Sequence, residues 1–398
     1  MCDSLTFFAS AFGRTALALP VSPCQSVAEW GALRGAMRKT VPAEFTRDEW
    51  AYLMAFLAPE NLQAPFLEAF GDPVVPSGDC KGAVSVSRLV RPRGVVAVWL
   101  PNNVSLLGPL TLILLTLTGN RILLKGGSRS QDLTGAFLAF ARRHLAPGPL
   151  RAHLEQRVHL EVFAHGDDRQ RQMIEQADVR IVFGSDESAA AIHGGAPPLR
   201  GAGFSFIDRQ SQAWIEVGAA TDEVLSNLIR VFAIYGQAGC TSPRRVVLLD
   251  GTPAQAEALR SRMLELWPQV LRFKPPIHVA SGNTMALQWA AALGWDAALA
   301  VNRHAVIGVG DLTLQAIDAP MFLPICPATP EEAVRQLPAN MQTLGHAFLD
   351  PADPRWLRLA ATTRIKRLVP IARMHHFGPL WDGQRFWSQC FEEIEVQL

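Results

Sequence analysis

The sequence has almost no excess of charge of either sign. Its 398 residues include 37 Lys and Arg against 36 Asp and Glu, which gives a formal net charge of +1. A surface that holds nucleic acid or an anionic membrane by electrostatic attraction carries a clear excess of basic residues. The balance therefore argues against a nucleic-acid partner and against a polybasic membrane patch.

Paired cysteines are also missing. The six cysteines, at positions 2, 24, 80, 240, 326 and 390, form no C-x-x-C pair, and the ten histidines are equally dispersed. Neither residue type has the spacing of a zinc site, and no secretory signal precedes the cysteines. We therefore expect free thiols, a reduced cytoplasmic compartment and no bound metal.

No apolar run reaches the length of a membrane span. The longest, residues 104–118, is interrupted by Gly108 and Pro109 and falls short of the roughly 20 residues that a spanning helix needs. We interpret it as a buried helix and predict no integral membrane segment. Hydrophobic residues make up 49% of the chain, so we expect a globular protein of two or three subdomains.

Strand and helix patterns alternate along most of the chain. The apolar run 94–100 predicts a buried strand, and Arg121–Lys125 predicts a second one. Further predicted strands lie at 160–163, 179–183, 213–217, 245–249, 322–325 and 394–398, with strand-sized runs at 278–280 and 297–307. Helices are predicted at 132–144, 168–176, 186–192, 222–235 and 254–267, and directly after the N-cap Thr46. This alternation is typical of parallel sheets covered by helices, whereas residues 1–43 show no clear pattern.

One cysteine stands in a setting that suits catalysis. The segment YGQAGCTSPRRVVLL, residues 235–249, places Cys240 between the end of a predicted helix and a predicted strand. A cysteine held there among Gly, Ala and Ser is where an enzyme exposes a thiolate to an acyl group. The alternative is a buried structural cysteine, which is the commoner state of a free Cys.

Four segments, taken in order, resemble the aldehyde dehydrogenase superfamily. Within it they are most similar to the LuxC-like acyl-CoA or acyl-thioester reductases, typified by the fatty-acyl reductase of bacterial bioluminescence. The segments are GVVAVWLPNNVSLLGPL (94–110), TGNRILLKGGSRS (118–130), VRIVFGSDESAAAI (179–192) and GQAGCTSPR (236–244). Weaker similarity extends to residues 320–334 and 367–383.

The resemblance implies an α/β, aldehyde-dehydrogenase-like fold of two Rossmann-type subdomains. The cofactor-binding domain would comprise residues 1–203, with 378–398 returning to it or to a partner protomer. The catalytic domain would comprise residues 204–377, after a Gly- and Pro-rich stretch that ends at Gly203. Ser85–Arg91 and Ile394–Leu398 are predicted edge strands that could pair between the protomers of a homodimer.

The same resemblance implies roles for individual residues. Cys240 would be the nucleophile, and the side-chain amide of Asn103 would donate to the oxyanion. Lys125 would reach the adenosine ribose of the cofactor, with Gly184 and Ser185 in a turn over it. Each has a structural alternative: Asn103 could form an Asx turn, Lys125 could be a solvated charge, and Gly184-Ser185 could simply start a helix.

The residues that follow Lys125 favour NADPH over NADH. Ser128 stands where NAD-preferring relatives often place a carboxylate against the ribose hydroxyls, and Arg129 follows it. A neutral Ser followed by Arg would accept a 2′-phosphate, which a Glu would repel. Arg244 and Arg245, beyond the nucleophile loop, could contact the phosphates of an acyl carrier, or could form salt bridges and backbone caps instead.

The sequence lacks the water-activating base of oxidising superfamily members. Those proteins carry a Glu-Leu-Gly-Gly motif before the nucleophile, whereas the only acids between residues 195 and 217 are Asp208 and Glu216. The missing base favours NADPH-dependent reduction of an acyl thioester, on CoA or an acyl carrier protein, to an aldehyde through a thioester on Cys240.

Two further departures keep alternatives open. Pro320 stands in place of the Glu that holds the nicotinamide ribose, and Ala238-Gly239 makes the nucleophile loop one residue longer than the common pattern. The alternatives are an acyl-phosphate reductase of the same superfamily, and a catalytically weakened acyl-transfer or channelling subunit.

Overall fold

The structure is a computed structural model that describes residues 5–11, 13–74, 86–127, 133–164, 166–195, 201–272, 274–315 and 317–397. The chain forms two compact units. Unit 1 comprises Met1–Ile207 and Phe377–Leu398, and unit 2 comprises Asp208–His376. Unit 2 is therefore an insertion between the two parts of unit 1.

The elements are numbered through the whole chain. The strands are β1 Thr6–Ser10, β2 Gly13–Leu17, β3 Asp72–Val74, β4 Arg88–Pro92, β5 Val95–Trp99, β6 Arg121–Lys125, β7 Val158–Glu161, β8 Val179–Gly184, β9 Ala202–Ile207, β10 Gln210–Glu216, β11 Pro243–Leu249, β12 Asp296–Leu299, β13 Val306–Val309, β14 Phe322–Ala328, β15 Met341–Ala347, β16 Arg367–Pro370 and β17 Phe391–Glu395. The helices are α1 Pro23–Met37, α2 Arg47–Phe56, α3 Pro59–Phe70, α4 Leu107–Thr116, α5 Leu133–His144, α6 Pro149–Gln156, α7 Asp168–Gln176, α8 Asp186–His193, α9 Asp222–Ala233, α10 Pro253–Val270, α11 Ile277–Ala292, α12 Pro330–Arg335 and α13 Pro354–Thr362. Short 3₁₀ turns lie at Val217–Ala219, Val301–Arg303, Ile371–Arg373 and Ser388–Cys390.

The described residues of unit 1 form two sheets. The first is parallel and has the strand order β7-β6-β5-β8-β9, and the second has the order β17-β4-β2-β1-β3. In the parallel sheet Trp99 of β5 lies opposite Lys125 of β6 and Val182 of β8. The carboxyl ends of these three strands therefore lie at one edge, and that edge is where open α/β sheets bind ligands.

The apolar run 104–118 forms part of the core of unit 1. Every residue of α4 from Gly108 to Thr116 is buried, which explains why this helix is apolar on all sides. Position 108 has no room for a side chain, because a Cβ there would lie 1.8 Å from the hydroxyl oxygen of Thr134 in α5. Among the described residues no helix is long and apolar enough to cross a membrane.

Unit 2 is built on one sheet with the order β12-β13-β14-β11-β10-β15-β16. Its strands are parallel except for β12, which pairs antiparallel with β13. Successive residues of β11 enter two different cores, because side chains alternate across a sheet. Val246 and Leu248 pack with α9 and α10, while Val247 and Leu249 pack on the opposite face with α11. The sheet is thus covered on both faces, as expected of a parallel sheet.

The N-terminal region is more regular than its sequence pattern indicates. Residues up to Met37 form β1, β2 and α1, where no element was predicted. Pro23, which reads as a loop residue, lies at the first position of α1, where a missing N–H is tolerated. The predicted N-cap Thr46 is confirmed, and a capping box with Glu49 opens α2.

Three predictions for later segments are wrong. The run at 278–280 is not a strand but part of α11, whose buried residues Asn283, Ala286 and Ala290 recur at helical spacing. The run 297–307 is not continuous, because Asn302 and Arg303 have φ of 56° and 59° and turn the chain between β12 and β13. Finally, the predicted edge strand Ser85–Arg91 is not an edge in its described part, since β4 lies between β17 and β2; the edge position belongs to β17.

Candidate active site

The described cysteines differ sharply in their surroundings. Cys326 and Cys390 are buried, and burial raises the pKa of each thiol to about 12. Neither can supply a thiolate near neutral pH. Cys24 is exposed at the start of α1, and Cys240 is partly exposed. Of the four, Cys240 alone lies in a loop between a helix and a parallel strand.

The Cys240 loop leaves α9 through three successive left-handed residues. Tyr235, Gly236 and Gln237 have φ of 63°, 55° and 62°. Holding a non-glycine residue in this region costs about 1 kcal/mol or more, so the surrounding contacts must compensate for Tyr235 and Gln237. The turn closes with a hydrogen bond from the Ser242 N–H to the Gly239 carbonyl, 3.0 Å long.

Gln237 anchors this loop from inside. Its side chain is buried, and its Nε2 donates to the carbonyls of Pro243, at 3.2 Å, and Phe322, at 2.9 Å. Two buried oxygens, Gln237 Oε1 and Ser242 Oγ, have no hydrogen-bond partner among the described residues. The amide nitrogen of Gln237 therefore holds the loop, whereas these two oxygens accept no hydrogen bond from the described residues.

Two more contacts fix Cys240 and Thr241. The hydroxyl of Ser211, in β10, donates to the backbone carbonyl of Cys240 at 2.7 Å. Thr241 Oγ1 lies 2.6 Å from Nδ1 of His375, and the other ring nitrogen of His375 lies 2.6 Å from the Val231 carbonyl in α9. Burial lowers the pKa of His375 to about 4, so its ring is neutral near pH 7.

Glu216 cannot act as a base at Cys240. β10 and β11 are parallel, with Ser211 opposite Pro243 and Glu216 opposite Leu249. Cys240 precedes the amino end of β11, whereas Glu216 ends β10 at the carboxyl edge, five residues beyond Ser211. At about 3.3 Å per residue, Ser211 and Glu216 are roughly 17 Å apart. The Glu216 carboxylate is in addition bound by Arg355 and by the N–H of Leu349.

Arg244 and Arg245 follow the loop at the start of β11. Arg244 is exposed and Arg245 is partly buried. Neither forms a hydrogen bond or an ion pair through its side chain with another described residue. Within the described part of the chain, no carboxylate pairs with either guanidinium group.

Lys125 ends β6 at the carboxyl edge of the parallel sheet of unit 1. Its Nζ lies 5.8 Å from the ring centroid of Phe163, and burial lowers its pKa. Arg169 lies against the same ring, at 5.1 Å, and its charge is balanced by Asp167 at 2.7 Å. No carboxylate of the described residues pairs with Lys125, so this edge holds a partly buried cation without a counter-ion.

Gly184 and Ser185 lie at the same edge, between β8 and α8. Ser185 caps α8 by accepting a hydrogen bond from the Ser188 N–H at 3.3 Å. A Cβ at Gly184 would meet nothing closer than 3.6 Å, so packing does not explain a glycine there. Asp186 and Glu187 in the first turn of α8 make this helix N-terminus less favourable for a phosphate than an uncharged one.

The remaining predicted site residues are placed as follows. Asn103 lies exposed in the bend between β5 and α4, at the same sheet edge as Lys125 and Ser185. Ser128 and Arg129 lie outside the described residues. The structure thus groups the predicted cofactor-side residues that it describes at one edge of unit 1, and it places Cys240, Arg244 and Arg245 together in unit 2.

Two residues of the loop scaffold are absent from the sequence-based site. His375 is far from Cys240 in the chain, and its contact with Thr241 depends on the fold of unit 2. Ser211 precedes Cys240 by a helix and a turn, and only the pairing of β10 with β11 brings the two together. The adjacent His375-His376 pair was the available signal, but spacing alone does not indicate which ring faces the nucleophile loop.

Several solved structures share this architecture at low sequence identity. An oxidoreductase from Marinobacter aquaeolei is 14% identical and superposes with a TM-score of 0.67, covering 96% of this chain and 87% of that one. An aldehyde dehydrogenase from Bartonella henselae is 12% identical, with a TM-score of 0.62 and coverage of 94% and 87%. A mutant betaine aldehyde dehydrogenase from Staphylococcus aureus, in complex with NAD+, is 10% identical, with a TM-score of 0.65 and coverage of 94% and 85%. The fold is therefore that of the aldehyde dehydrogenases.

The sequence comparison with protein families is more specific. The family model described as acyl-CoA reductase (LuxC) matches residues 34–309, which is more than half of the chain. This protein belongs to the LuxC acyl-CoA reductase family and is an oxidoreductase. No curated protein matches it by sequence. In the part of the chain that the structure describes, no group of three or more His, Cys, Asp or Glu side chains is arranged to hold a metal ion.

Proposed function

We propose that this protein reduces the acyl group of an acyl thioester, carried on CoA or an acyl carrier protein, to the aldehyde, with NADPH as reductant. The observation that carries the proposal is Cys240 itself. Its loop is fixed at Gln237, at the Cys240 carbonyl and at Thr241, yet the residue remains partly exposed. Family membership supports the same reaction class.

The reaction starts at the sulfur of Cys240. The thiolate attacks the acyl carbon, a new C–S bond forms, and the bond to the carrier sulfur breaks. The carrier leaves as a thiolate that takes up a proton, and the acyl group remains on Cys240 as a thioester. The backbone N–H of Cys240 stabilises the oxyanion, and Asn103 is assigned the second donor on the family resemblance; such a donor contributes roughly 3 kcal/mol in comparable sites.

A reduced nicotinamide, when bound, would supply a hydride to the acyl carbon of the Cys240 thioester. The thiohemiacetal anion on Cys240 would then expel the Cys240 thiolate and leave the aldehyde. Lys125 is proposed to hold the adenosine ribose, because its ammonium lacks a counter-ion among the described residues. Gly184 allows a ligand to approach the backbone closely. Ser128 and Arg129 are proposed to accept the 2′-phosphate of NADPH on sequence grounds.

Water must be kept from competing with the hydride for the acyl group. Glu216, one of the two acids near the expected position of a base, is bound by Arg355 at the far end of β10. This arrangement supports reduction over hydrolysis. Arg244 and Arg245 have no carboxylate partner among the described residues, and we propose that they contact the phosphates of CoA or of the carrier protein.

We assign the cofactor to unit 1 and the nucleophile to unit 2. A reduced, cytoplasmic setting is proposed for the reaction, because the chemistry requires a thiolate at Cys240. A homodimer is also proposed, with β17 as the candidate contact because it lies at a sheet edge.

The decisive experiment is mass spectrometry of the intact protein mixed with a panel of acyl thioesters and an acyl phosphate, without reductant. One acyl group should appear on Cys240 with a thioester donor, and added NADPH should release it as aldehyde. Cys240→Ala should show neither effect, while Cys24→Ala serves as the control. Acylation by the acyl phosphate alone would assign the protein to the acyl-phosphate branch, and acylation without reduction would assign it a transfer role.

Cofactor binding is tested separately by titration. Lys125→Met should weaken NADPH binding by about tenfold, as expected for the loss of one charge-assisted contact. Lys39→Met, at an exposed position in the same unit, is the matched control. Binding of NADPH unchanged by Lys125→Met would remove Lys125 from the site, and binding of neither NADPH nor NADH would end the assignment as a reductase.

A further inference from the structure

His375 links the nucleophile loop to the helix that precedes it. Its Nε2 lies 2.6 Å from the Val231 carbonyl. A carbonyl oxygen only accepts hydrogen bonds, so Nε2 carries the proton. In the neutral ring Nδ1 is then an acceptor, and the Thr241 hydroxyl, at 2.6 Å, donates to it. The Thr241 hydroxyl therefore donates to His375, and His375 in turn donates to the Val231 carbonyl of α9.

Arg367 holds the backbone on both sides of His375. The guanidinium donates to the carbonyl of Met374 at 2.9 Å and to the carbonyl of His376 at 3.0 Å. It also donates to Thr343 Oγ1 in β15 at 3.2 Å. The backbone on both sides of His375 is thereby tied to the sheet, and the ring contacts Tyr235 edge-on at 5.4 Å.

Thr241 is the residue directly after Cys240. Its side chain is buried, so the hydroxyl has few alternative partners if His375 is lost. The peptide between Cys240 and Thr241 is held on one side by the Ser211 hydroxyl and on the other by His375. These two contacts set the direction in which the sulfur and the N–H of Cys240 point.

We propose that His375 is a positioning residue for Cys240, acting through the Thr241 hydroxyl as a neutral Nε2–H tautomer. The proposal rests on the assignment of Cys240 as the acyl acceptor. His375 does not exchange protons with the substrate in this role. Its contribution is to keep the thiolate and the oxyanion-binding N–H in one arrangement, which matters because small misplacements of reacting groups lower rates steeply.

The test measures acyl transfer to Cys240 in single turnover, by release of the free thiol without NADPH. Thr241→Val removes the hydroxyl and keeps the shape, and we expect a rate about tenfold lower, as for the loss of one hydrogen bond. Thr241→Ser retains the donor and should restore the rate to within about twofold of wild type. Thr284→Val, which removes a hydroxyl bound to the Ala280 carbonyl in α11, is the control in the same unit.

The double variant decides whether Thr241 acts through His375. If it does, Thr241→Val with His375→Gln is no slower than His375→Gln alone. Full additivity, or a Thr241→Val protein as fast as wild type, would overturn the proposal. If the His375 variant does not fold, the comparison of Thr241→Val with Thr241→Ser still decides, because both retain His375.

A second readout separates this proposal from the proposed function. Iodoacetamide alkylates Cys240 without any acyl donor, and a released loop should admit this small reagent faster while acyl transfer slows. Failure of wild-type protein to accept any acyl group would contradict the proposed function alone. Equal alkylation rates in wild type and Thr241→Val, measured on folded proteins of equal melting temperature, would contradict the positioning role.

Discussion

The side-chain nitrogen of Gln237 lies 2.9 Å from the carbonyl oxygen of Phe322, the first residue of β14. The same nitrogen is 3.2 Å from the carbonyl of Pro243, which begins β11. One buried amide thus joins the nucleophile loop to the amino ends of two neighbouring parallel strands. The loop cannot shift as a whole without breaking both bonds.

Gln237→Ala should therefore lower both stability and turnover. Loss of two buried hydrogen bonds is expected to reduce the free energy of unfolding by about 2 kcal/mol. Gln237→Glu should be worse, because its carboxylate would face two carbonyl oxygens. Urea unfolding and steady-state rates measure the effects, with the exposed Gln288→Ala in α11 as control. Equal stability of wild type and Gln237→Ala would show that the amide contacts are not important for folding.

The four described cysteines should differ in their reactivity. At neutral pH iodoacetamide is expected to modify Cys24 and Cys240, while Cys326 and Cys390 stay unmodified because burial raises the pKa of each to about 12. Peptide mapping by mass spectrometry measures the sites, and Cys24→Ala removes the competing exposed thiol. Activity should fall in step with modification of Cys240. Labelling of Cys326 in folded protein at the same rate would contradict the burial of β14.

Alanine substitutions at Gly345 and Gly282, both in unit 2, should change stability in opposite directions. A Cβ at Gly345 in β15 would lie 2.3 Å from the sulfur of Met374, beside His375, whereas a Cβ at Gly282 in α11 would meet nothing within 4 Å. Gly345→Ala should destabilise by about 1–3 kcal/mol through overpacking and should reduce turnover by shifting the segment that carries His375. Gly282→Ala should stabilise by up to about 1 kcal/mol because alanine favours the helix. Thermal unfolding of the two variants distinguishes these signs.

Acid should destabilise the protein partly through His153. This side chain is 4% exposed in α6, and burial, with the charge of Arg157, lowers its pKa from 6.5 to about 4. Between these pH values the unfolded chain binds more protons, so stability falls as pH decreases from 6.5 to 4, by roughly 3 kcal/mol for this group when complete. His153→Gln should flatten the dependence of urea unfolding on pH over this window. His159→Gln, at an exposed position in β7, is the matched control.

The fold was predictable where the local sequence signals were strong. The bounds of β6 at Arg121–Lys125 and of α7 at Asp168–Gln176 agree with the predictions, because turn residues and an acidic first turn mark their ends. α11 was missed because the helix contains no charged residue, so its exposed and buried faces look alike in sequence. Its exposed side even carries Met285 and Trp289.

The candidate site was predictable only as a set of separate segments. The order of the motifs made Cys240 and Lys125 candidates, since each motif is continuous in the chain. The support for Cys240 comes instead from Ser211, His375 and Phe322, which pairing of parallel strands brings to the loop. Such contacts depend on strand order, and no local pattern encodes it.

The pairing of β17 with β4 has a consequence for synthesis of the chain. Trp387 Nε1 donates to the Leu114 carbonyl, and Asn120 Nδ2 to the Cys390 carbonyl, so residues made late complete the core that begins at β1. While the chain emerges from the ribosome, the whole of Asp208–His376 is made before β17 can arrive. Until then β4 lacks its pairing with β17, and the Leu114 carbonyl lacks the Trp387 donor. We therefore expect unit 2 to be able to fold before unit 1 is complete, and we expect the edge of β4 to be open to aggregation until β17 pairs with it.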